Sequence, residues 1–200
     1  MARTRSFDAV ILAGGAARRL GGVDKPGLDV GGTTLVERVA AAARGARRLV
    51  IVGPERSRPA ARYVREDPPG GGPVPALRAG IAQVDAPWCA VLAADMPFFT
   101  AADLERLLAA AEGANGAVAV DAEGHPQWLA GIWSTHALRR ALADYAGRSL
   151  RGLLAPLEPV RVSPADLADS GIAVFDCDTP EALARARATV RPPRPDEATG

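Results

Sequence analysis

The chain has 200 residues, of which 48% are hydrophobic and 4% aromatic. That is the length of one α/β domain, with a core built from Ala, Leu and Val rather than from rings. A formal net charge of +1 gives no footprint for nucleic acid or an anionic membrane, two cysteines are too few for a disulfide scaffold, and no apolar run nears the ~20 residues of a membrane span.

The first expected element is a buried strand over Ala9 to Leu12, ended by Gly14-Gly15. Its N-terminal flank is too short for a signal segment and runs straight into the glycine loop, so a cytoplasmic protein is expected. A helix follows from Thr34 to Arg44, capped by Thr33 or Thr34, with Leu35, Val39 and Ala42 or Ala43 on one face. Arg48 to Val52 is the second strand and Tyr63-Val64-Arg65 a brief third. Glu66 to Pro75, EDPPGGGPVP, reads as a loop, and Ala76 to Gln83 as the next helix. Trp88 to Ala93 is a fully apolar strand. Ala101 to Glu112 is a helix with cap chemistry from Thr100 and Asp103. Strands alternating with helices at this spacing argue for a mainly parallel sheet covered on both faces. Beyond that, Ala117 to Val120 and Leu129 to Trp133 read as strands with a turn, DAEGHPQW, between them. Thr135 to Tyr145 reads as a helix, Val160 to Val162 and Ala173 to Phe175 as strands, and Pro180 to Val190 as a last helix. One domain over 1–190 is expected, and a disordered Pro-rich tail over 191–200.

The first candidate site is ILAGGAARRLGGVDK, Ile11 to Lys25. Gly14 and Gly15 follow a strand, where glycine lets backbone N–H groups approach a ligand without a Cβ in the way. Open parallel sheets bind ligands at the carboxyl ends of their strands. Arg18, Arg19 and Lys25 put positive charge on the same loop, which suits a polyphosphate; an ordinary turn with solvated arginines is the competing reading. All 24 basic residues are arginine except Lys25. A lysine here asks for a reason, and its slim point charge differs from the planar guanidinium fork where space is short. The spacing is neither G-x-G-x-x-G nor a Walker A loop. The second candidate is Asp95, just past an apolar strand on the same edge, where a carboxylate can meet a metal between two phosphates. A plain turn aspartate is its alternative. His125 and His136 lack metal-ligand spacing. Asp178 precedes Thr179-Pro180 and reads equally as a helix cap or as a site residue.

L-A-G-G-x-x-x-R-x-G-x-x-x-K, Leu12 to Lys25, resembles the signature loop of nucleotidyltransferases with the GT-A-like (Rossmann-like) fold. Within that group, RLGGVDK is most similar to the molybdenum cofactor guanylyltransferases. The resemblance covers about residues 7 to 190. Asp95-Met96-Pro97-Phe98 matches the family's D-x-P-F, with Ala94 where the family usually has Cys. Glu66-Asp67-Pro68 and GPVPALRAGI resemble its aspartate and G-P-L-A-G-I segments, with Pro75 extra. Gly53-Pro54 replaces the family's Asn after the second strand. HPQWL stands in for its Q-P-L segment, with Trp128 in place of Pro. FDCDTPEA, Phe175 to Ala182, resembles its F-x-x-x-T-P-E segment.

The resemblance implies a three-layer α/β/α sandwich with a mainly parallel sheet. It implies transfer of GMP from GTP to molybdenum-molybdopterin, releasing pyrophosphate. Mg2+, or Mn2+ in its place, would sit on Asp95. The amides of Gly14 and Gly15, with Arg19, would hold the β- and γ-phosphates, and Lys25 would lie at the phosphates. The backbone of Leu12 and Ala13 would frame the base, and Asp67 would contact the nucleoside. His125, Gln127, Asp176 and Asp178 would face the acceptor, Asp178 with a second metal contact. Partners would be GTP, a molybdopterin-type acceptor, and proteins of molybdenum insertion or molybdoenzyme maturation. The alternatives are the same chemistry with CTP, a sugar-phosphate or phospholactate acceptor, or a non-catalytic homologue that binds nucleotide or cofactor.

Overall fold

Strand β1, Phe7–Leu12, is buried along its whole length, and its alternate side chains feed two different cores. Phe7, Ala9 and Ile11 face one cluster; Val10 and Leu12 face the other. This is the period-2 pattern of a strand covered on both sides. The computed structural model describes residues 6–14, 23–167 and 173–190. Seven strands form one sheet in the order β3-β2-β1-β4-β6-β5-β7. The others are β2 (Leu49–Val52), β3 (Arg62–Val64), β4 (Trp88–Ala93), β5 (Gly116–Val120), β6 (Pro126–Ser134) and β7 (Val160–Val162). Only β6 runs against its neighbours; the remaining pairings are parallel. The sheet is therefore mainly parallel, and the carboxyl ends of β3, β2, β1, β4, β5 and β7 share one edge.

Helices α1 (Leu35–Ala42) and α3 (Ala101–Ala110) cover the first face, with α1 contributing Val36, Val39 and Ala40 and α3 contributing Leu104 and Leu107. Helices α2 (Pro73–Ile81), α4 (Thr135–Asp144) and α5 (Leu150–Leu154) cover the second, through Leu77, Leu138 and Leu153. The starts of α1 and α3 are written in the sequence. Thr34 and Glu37 form a reciprocal capping box, and so do Thr100 and Asp103. Close packing of α2 on the sheet depends on Gly80: a Cβ there would lie 2.5 Å from Val10 Cγ1. Asp8, only 2% exposed, points from β1 into the second face and accepts the backbone N–H groups of Asp85 and Ala86 at 2.8 and 2.9 Å. That satisfies a buried carboxylate and pins the turn that feeds β4.

Several boundaries differ from the expectation. The loop expected over Glu66 to Pro75 ends at Gly72, because Pro73 sits in the first turn of α2, where its missing N–H costs nothing. The turn expected over Asp121 to Trp128 is shorter: Asp121 closes it, and β6 begins at Pro126. Ala173 to Phe175 is not a strand, although Ala173 is buried; its apolar run serves packing without joining the sheet. Helix α5 was not expected. It is five residues long, too short for a helical repeat of apolar residues to show. Gly15, Arg18, Arg19 and the tail 191–200 lie outside the described residues.

The last helix, α6 (Pro180–Thr189), builds a third small core. Leu183, Ala186 and Cys177 pack there with Val30 and Leu35, and Leu28, Phe98, Phe175 and Val190 join them. The Phe98 and Phe175 rings lie 5.8 Å apart in a tilted pair, and Arg187 Nε donates to the Asp29 carbonyl at 2.9 Å. The C-terminal segment is thereby laid over the long connection from β1 to α1.

Candidate active site at the carboxyl edge of the sheet

Three charged side chains meet at this edge. Lys25 opens a single 3₁₀ turn, Lys25–Gly27, in the β1–α1 connection. Asp95 lies two residues beyond the end of β4. Asp178 lies just ahead of α6. The Lys25 ammonium donates to Asp95 Oδ2 at 2.5 Å and also to Asp178 Oδ1. Lys25 is 13% exposed, Asp95 23% and Asp178 45%, so the cluster is shielded at its lysine and open on the Asp178 side. Burial alone would depress the Lys25 pKa. The charges of Asp95 and Asp178, and the hydrogen bonds to them, outweigh it and raise the pKa above the ordinary lysine value.

Each arm has a local reason for its position. Leu12 pairs with Ala93 in the parallel β1–β4 ladder, and Ala94 N–H continues it onto the Leu12 carbonyl at 3.1 Å. Chain leaving β4 must therefore pass beside chain leaving β1. The third arm comes from 153 residues away. Cys177 N–H donates to the Asp95 carbonyl at 3.1 Å, which sets Asp178 against Lys25. The Cys177 side chain anchors the same segment in the third core, and burial pushes its thiol up to about 11. Both cysteines are free and buried. Of the two readings of Asp178, the cap falls to Thr179, whose hydroxyl accepts from Ala182 N–H at 3.1 Å; the Asp178 carboxylate meets Lys25.

The other candidates fall around this centre. Gly14 is exposed, and a Cβ there would meet only the Val52 carbonyl at 3.7 Å, an ordinary contact. Packing among the described residues does not demand glycine at this position. Gly53 is the opposite case. A Cβ would lie 2.8 Å from the Ala13 carbonyl oxygen, so the loop after β2 abuts β1 too closely for any side chain. The Ala13 N–H is committed to the Val52 carbonyl at 2.9 Å and the Leu12 carbonyl accepts from Ala94, so these groups are tied into the sheet. Asp67 is exposed in the β3–α2 loop, and Asp176 is exposed beside Cys177.

His125 and Gln127 lie in and after the β5–β6 turn, at the same edge but not on Lys25. Gln127 Nε2 and the His125 N–H both donate to the Asp121 carboxylate at 2.8 Å. The N–H bond from His125 comes first among the causes that hold the Asp121 pKa below the ordinary value. Ligand atoms of Asp121, Glu123 and His125 lie within 4.8 Å of one another, and the hydrogen-bonded turn accounts for that crowding. His136 is exposed on α4.

One pair had no signal in the sequence. Arg56, in the loop after β2, binds both carboxylate oxygens of Asp24, the residue before Lys25. Nothing in the local pattern of either residue marks a partner 32 positions away.

Residues 9–162 match the family model of the MobA-like NTP transferase domain. A protein of Pelotomaculum thermopropionicum named probable molybdenum cofactor guanylyltransferase is 31% identical over 188 residues, covering 89% of this chain and 90% of its own. Among solved structures, molybdopterin-guanine dinucleotide biosynthesis protein A of Archaeoglobus fulgidus superposes with a TM-score of 0.72 at 24% identity, over 90% of this chain and 97% of its own. The 2-C-methyl-D-erythritol 4-phosphate cytidylyltransferase of Thermus thermophilus does so with a TM-score of 0.69 at 21% identity, over 92% and 98%. These two structural likenesses establish the shared fold.

Proposed function

The chain belongs to the MobA-like NTP transferase domain family, and on that footing we propose that it transfers GMP from GTP to a molybdopterin-type acceptor that carries molybdenum. One observation supports this reading most: two carboxylates and a lysine, from three separate segments, converge at the carboxyl edge of a mainly parallel sheet. A phosphate oxygen of the acceptor attacks the α-phosphorus of GTP in line. A new P–O bond forms, the α–β bridging bond breaks, and pyrophosphate leaves with the electron pair. Such a step is mostly positioning and charge neutralisation.

The donor set fits a hard divalent cation, because two carboxylates already close on one positive charge. Asp95 would hold magnesium, or manganese in its place, with Asp178 as a second contact. Once bound, the metal would neutralise charge on the phosphate oxygens. Lys25 exchanges its carboxylate partners for phosphate oxygens when nucleotide arrives. Gly14, Gly15 and Arg19 hold the β- and γ-phosphates, Asp67 contacts the nucleoside, and the backbone of Leu12 and Ala13 frames the base. The β5–β6 turn with His125 and Gln127, together with Asp176, faces the acceptor. No described helix is long and apolar enough to cross a membrane. A cytoplasmic setting and hand-over to proteins of molybdoenzyme maturation are part of this proposal.

The test is calorimetry with GTP, CTP and ATP in magnesium, followed by pyrophosphate release with a molybdopterin-type acceptor. GTP should bind most tightly and turn over. Preference for CTP would move the base assignment. Binding of none of the three would overturn the reading.

A further inference from the structure

The pair formed by Asp24 and Arg56 has a geometry that a casual surface contact lacks. The two terminal nitrogens of the guanidinium each donate to a different oxygen of the one carboxylate, Nη1 to Oδ2 and Nη2 to Oδ1. That is the bidentate fork, the most directional ion pair available to a protein. The Arg56 side chain is 15% exposed although Asp24 is 55% exposed. Its Nε is buried without a partner among the described residues, so the fork is held through Asp24. Gly27 closes the arrangement. A Cβ there would lie 2.3 Å from Asp24 Oδ2 and 3.0 Å from Arg56 Nη1. The ion pair thus occupies the space that a side chain at position 27 would need. Asp24 is also the residue from which the turn Lys25–Gly27 starts, and the Gly27 N–H returns to its carbonyl at 3.1 Å.

We propose that Arg56 is a positioning residue for nucleotidyl transfer: its fork on Asp24 holds the turn that carries Lys25 in the form that receives the nucleotide's phosphates. The proposal rests on the nucleotidyl-transfer reading above. A lysine reaches a phosphate usefully only if its own Cα is fixed, and fixing backbone costs conformational entropy. With the latch closed, that ordering is in place before the nucleotide arrives. With the latch open, the nucleotide must order the turn itself, and apparent affinity falls by the fraction of molecules already competent. The bound complex is then ordered in either case. The loss therefore belongs in binding and not in the bound-state rate, which separates Arg56 from Lys25.

The experiment compares the full-length protein with Arg56→Gln, Arg56→Lys, Asp24→Asn and the double variant Asp24→Asn/Arg56→Gln. Nucleotide Kd is measured by calorimetry in magnesium, kcat by pyrophosphate release at saturating nucleotide, and Tm by thermal melting. The nucleotide is whichever of GTP, CTP and ATP the parent binds. A parent that binds none defeats the nucleotidyl-transfer reading and this proposal with it. A parent that binds one isolates the latch as a difference between variant and parent. Expected are a Kd about tenfold weaker in Arg56→Gln and in Asp24→Asn, kcat within about threefold of the parent, and a double variant no worse than either single. Arg56→Lys, with one ammonium for two oxygens, should recover part of the affinity. Unchanged Kd and kcat, whatever the shift in Tm, would reduce the pair to a surface ion pair and overturn the proposal. So would a loss confined to kcat, or losses in Kd that add in the double variant. If Arg56→Gln does not fold, Gly27→Ala displaces the Asp24 carboxylate without removing a charge and carries the same expected weakening of Kd.

Discussion

The two halves of the chain deliver charge to one sheet edge by different means. From β1 to β4 every strand is parallel to its neighbours, so the residue after each strand emerges at the same edge by construction. Lys25 and Asp95 come from this half, beyond the ends of adjacent strands β1 and β4. The second half turns β6 against the sheet and delivers its charge from a stretch with no regular structure, 175–179. Asp178 is placed there by the third core and by the Cys177–Asp95 backbone bond. Position by topology and position by packing differ in tolerance. Asp95, two residues past β4, is fixed by the ladder; Asp178 depends on a handful of contacts, and Lys25, well past the end of β1, on the turn that carries it.

That contrast ranks the substitutions. Asp95→Asn should cost the most turnover, on the order of 10²-fold, because an amide cannot neutralise a divalent cation. Nucleotide affinity should fall only modestly. Pyrophosphate release measured at saturating GTP checks this, and a rate near the parent's would remove Asp95 from the centre.

Lys25→Arg comes next. The ammonium lies between two carboxylates and is 13% exposed, so there is little room for a planar fork. We expect a loss of about tenfold or more, approaching that of Lys25→Ala. Arg44→Lys, at an exposed position past the end of α1, should be silent. The same geometry has a second consequence. If Asp95 and Asp178 hold the metal as proposed, Lys25 occupies its carboxylates, and Lys25→Met should bind Mn2+ without nucleotide about tenfold more tightly than the parent, by the reciprocity of linked binding. Electron paramagnetic resonance of free Mn2+ reads this directly. If Lys25→Arg keeps more than about half the rate, charge alone suffices and the single lysine has no geometric meaning.

The contrast also divides what could be read from the sequence. β4 was legible to the residue, and α1 and α3 were legible through Thr34, Thr100 and Asp103, because strand runs and caps are local signals. Lys25 and Asp95 were legible as motif residues at strand ends. What the sequence does not carry locally is long-range. Ala173 to Phe175 has the apolar pattern of a strand but spends it on the core and on a ring pair with Phe98. Asp178 looked equally like a cap, but Thr179 is the cap, and the Asp178 contact with Lys25 spans 153 residues. Asp24 lay inside the RLGGVDK segment, but nothing marked Arg56 as its partner, since an ion pair across 32 residues leaves no periodicity.

Asp178→Asn probes the packing-delivered arm. Asp178 is 45% exposed against 23% for Asp95, so its charge is screened more strongly, and under the proposed metal site its hold would be the weaker. A loss of turnover of about tenfold is expected, clearly smaller than in Asp95→Asn. Equal losses in the two variants would erase the distinction between the halves, with both carboxylates acting as equivalent ligands.

The smallest effect concerns stability, at the point where the first half ties its own loop. The hydrogen bonds from Arg56 hold the Asp24 pKa below the ordinary value of 3.8, partial burial opposes them, and the guanidinium charge adds to them. A carboxylate with a lowered folded-state pKa contributes stability above its unfolded value and loses it as pH falls through the folded one. The pair should therefore stabilise the parent over Arg56→Gln by a constant amount from neutral pH down to about pH 4. That difference should shrink as the solution is acidified further. With Asp24 half exposed, it should be about 1 kcal/mol or less, and smaller still in 1 M salt. Urea melts of the two proteins at pH 7, 4 and 2.5 measure it. A difference that persists undiminished at pH 2.5 would mean that Arg56 stabilises by packing its stem and not by pairing with Asp24. The latch would then be mechanical, with the charge incidental to it.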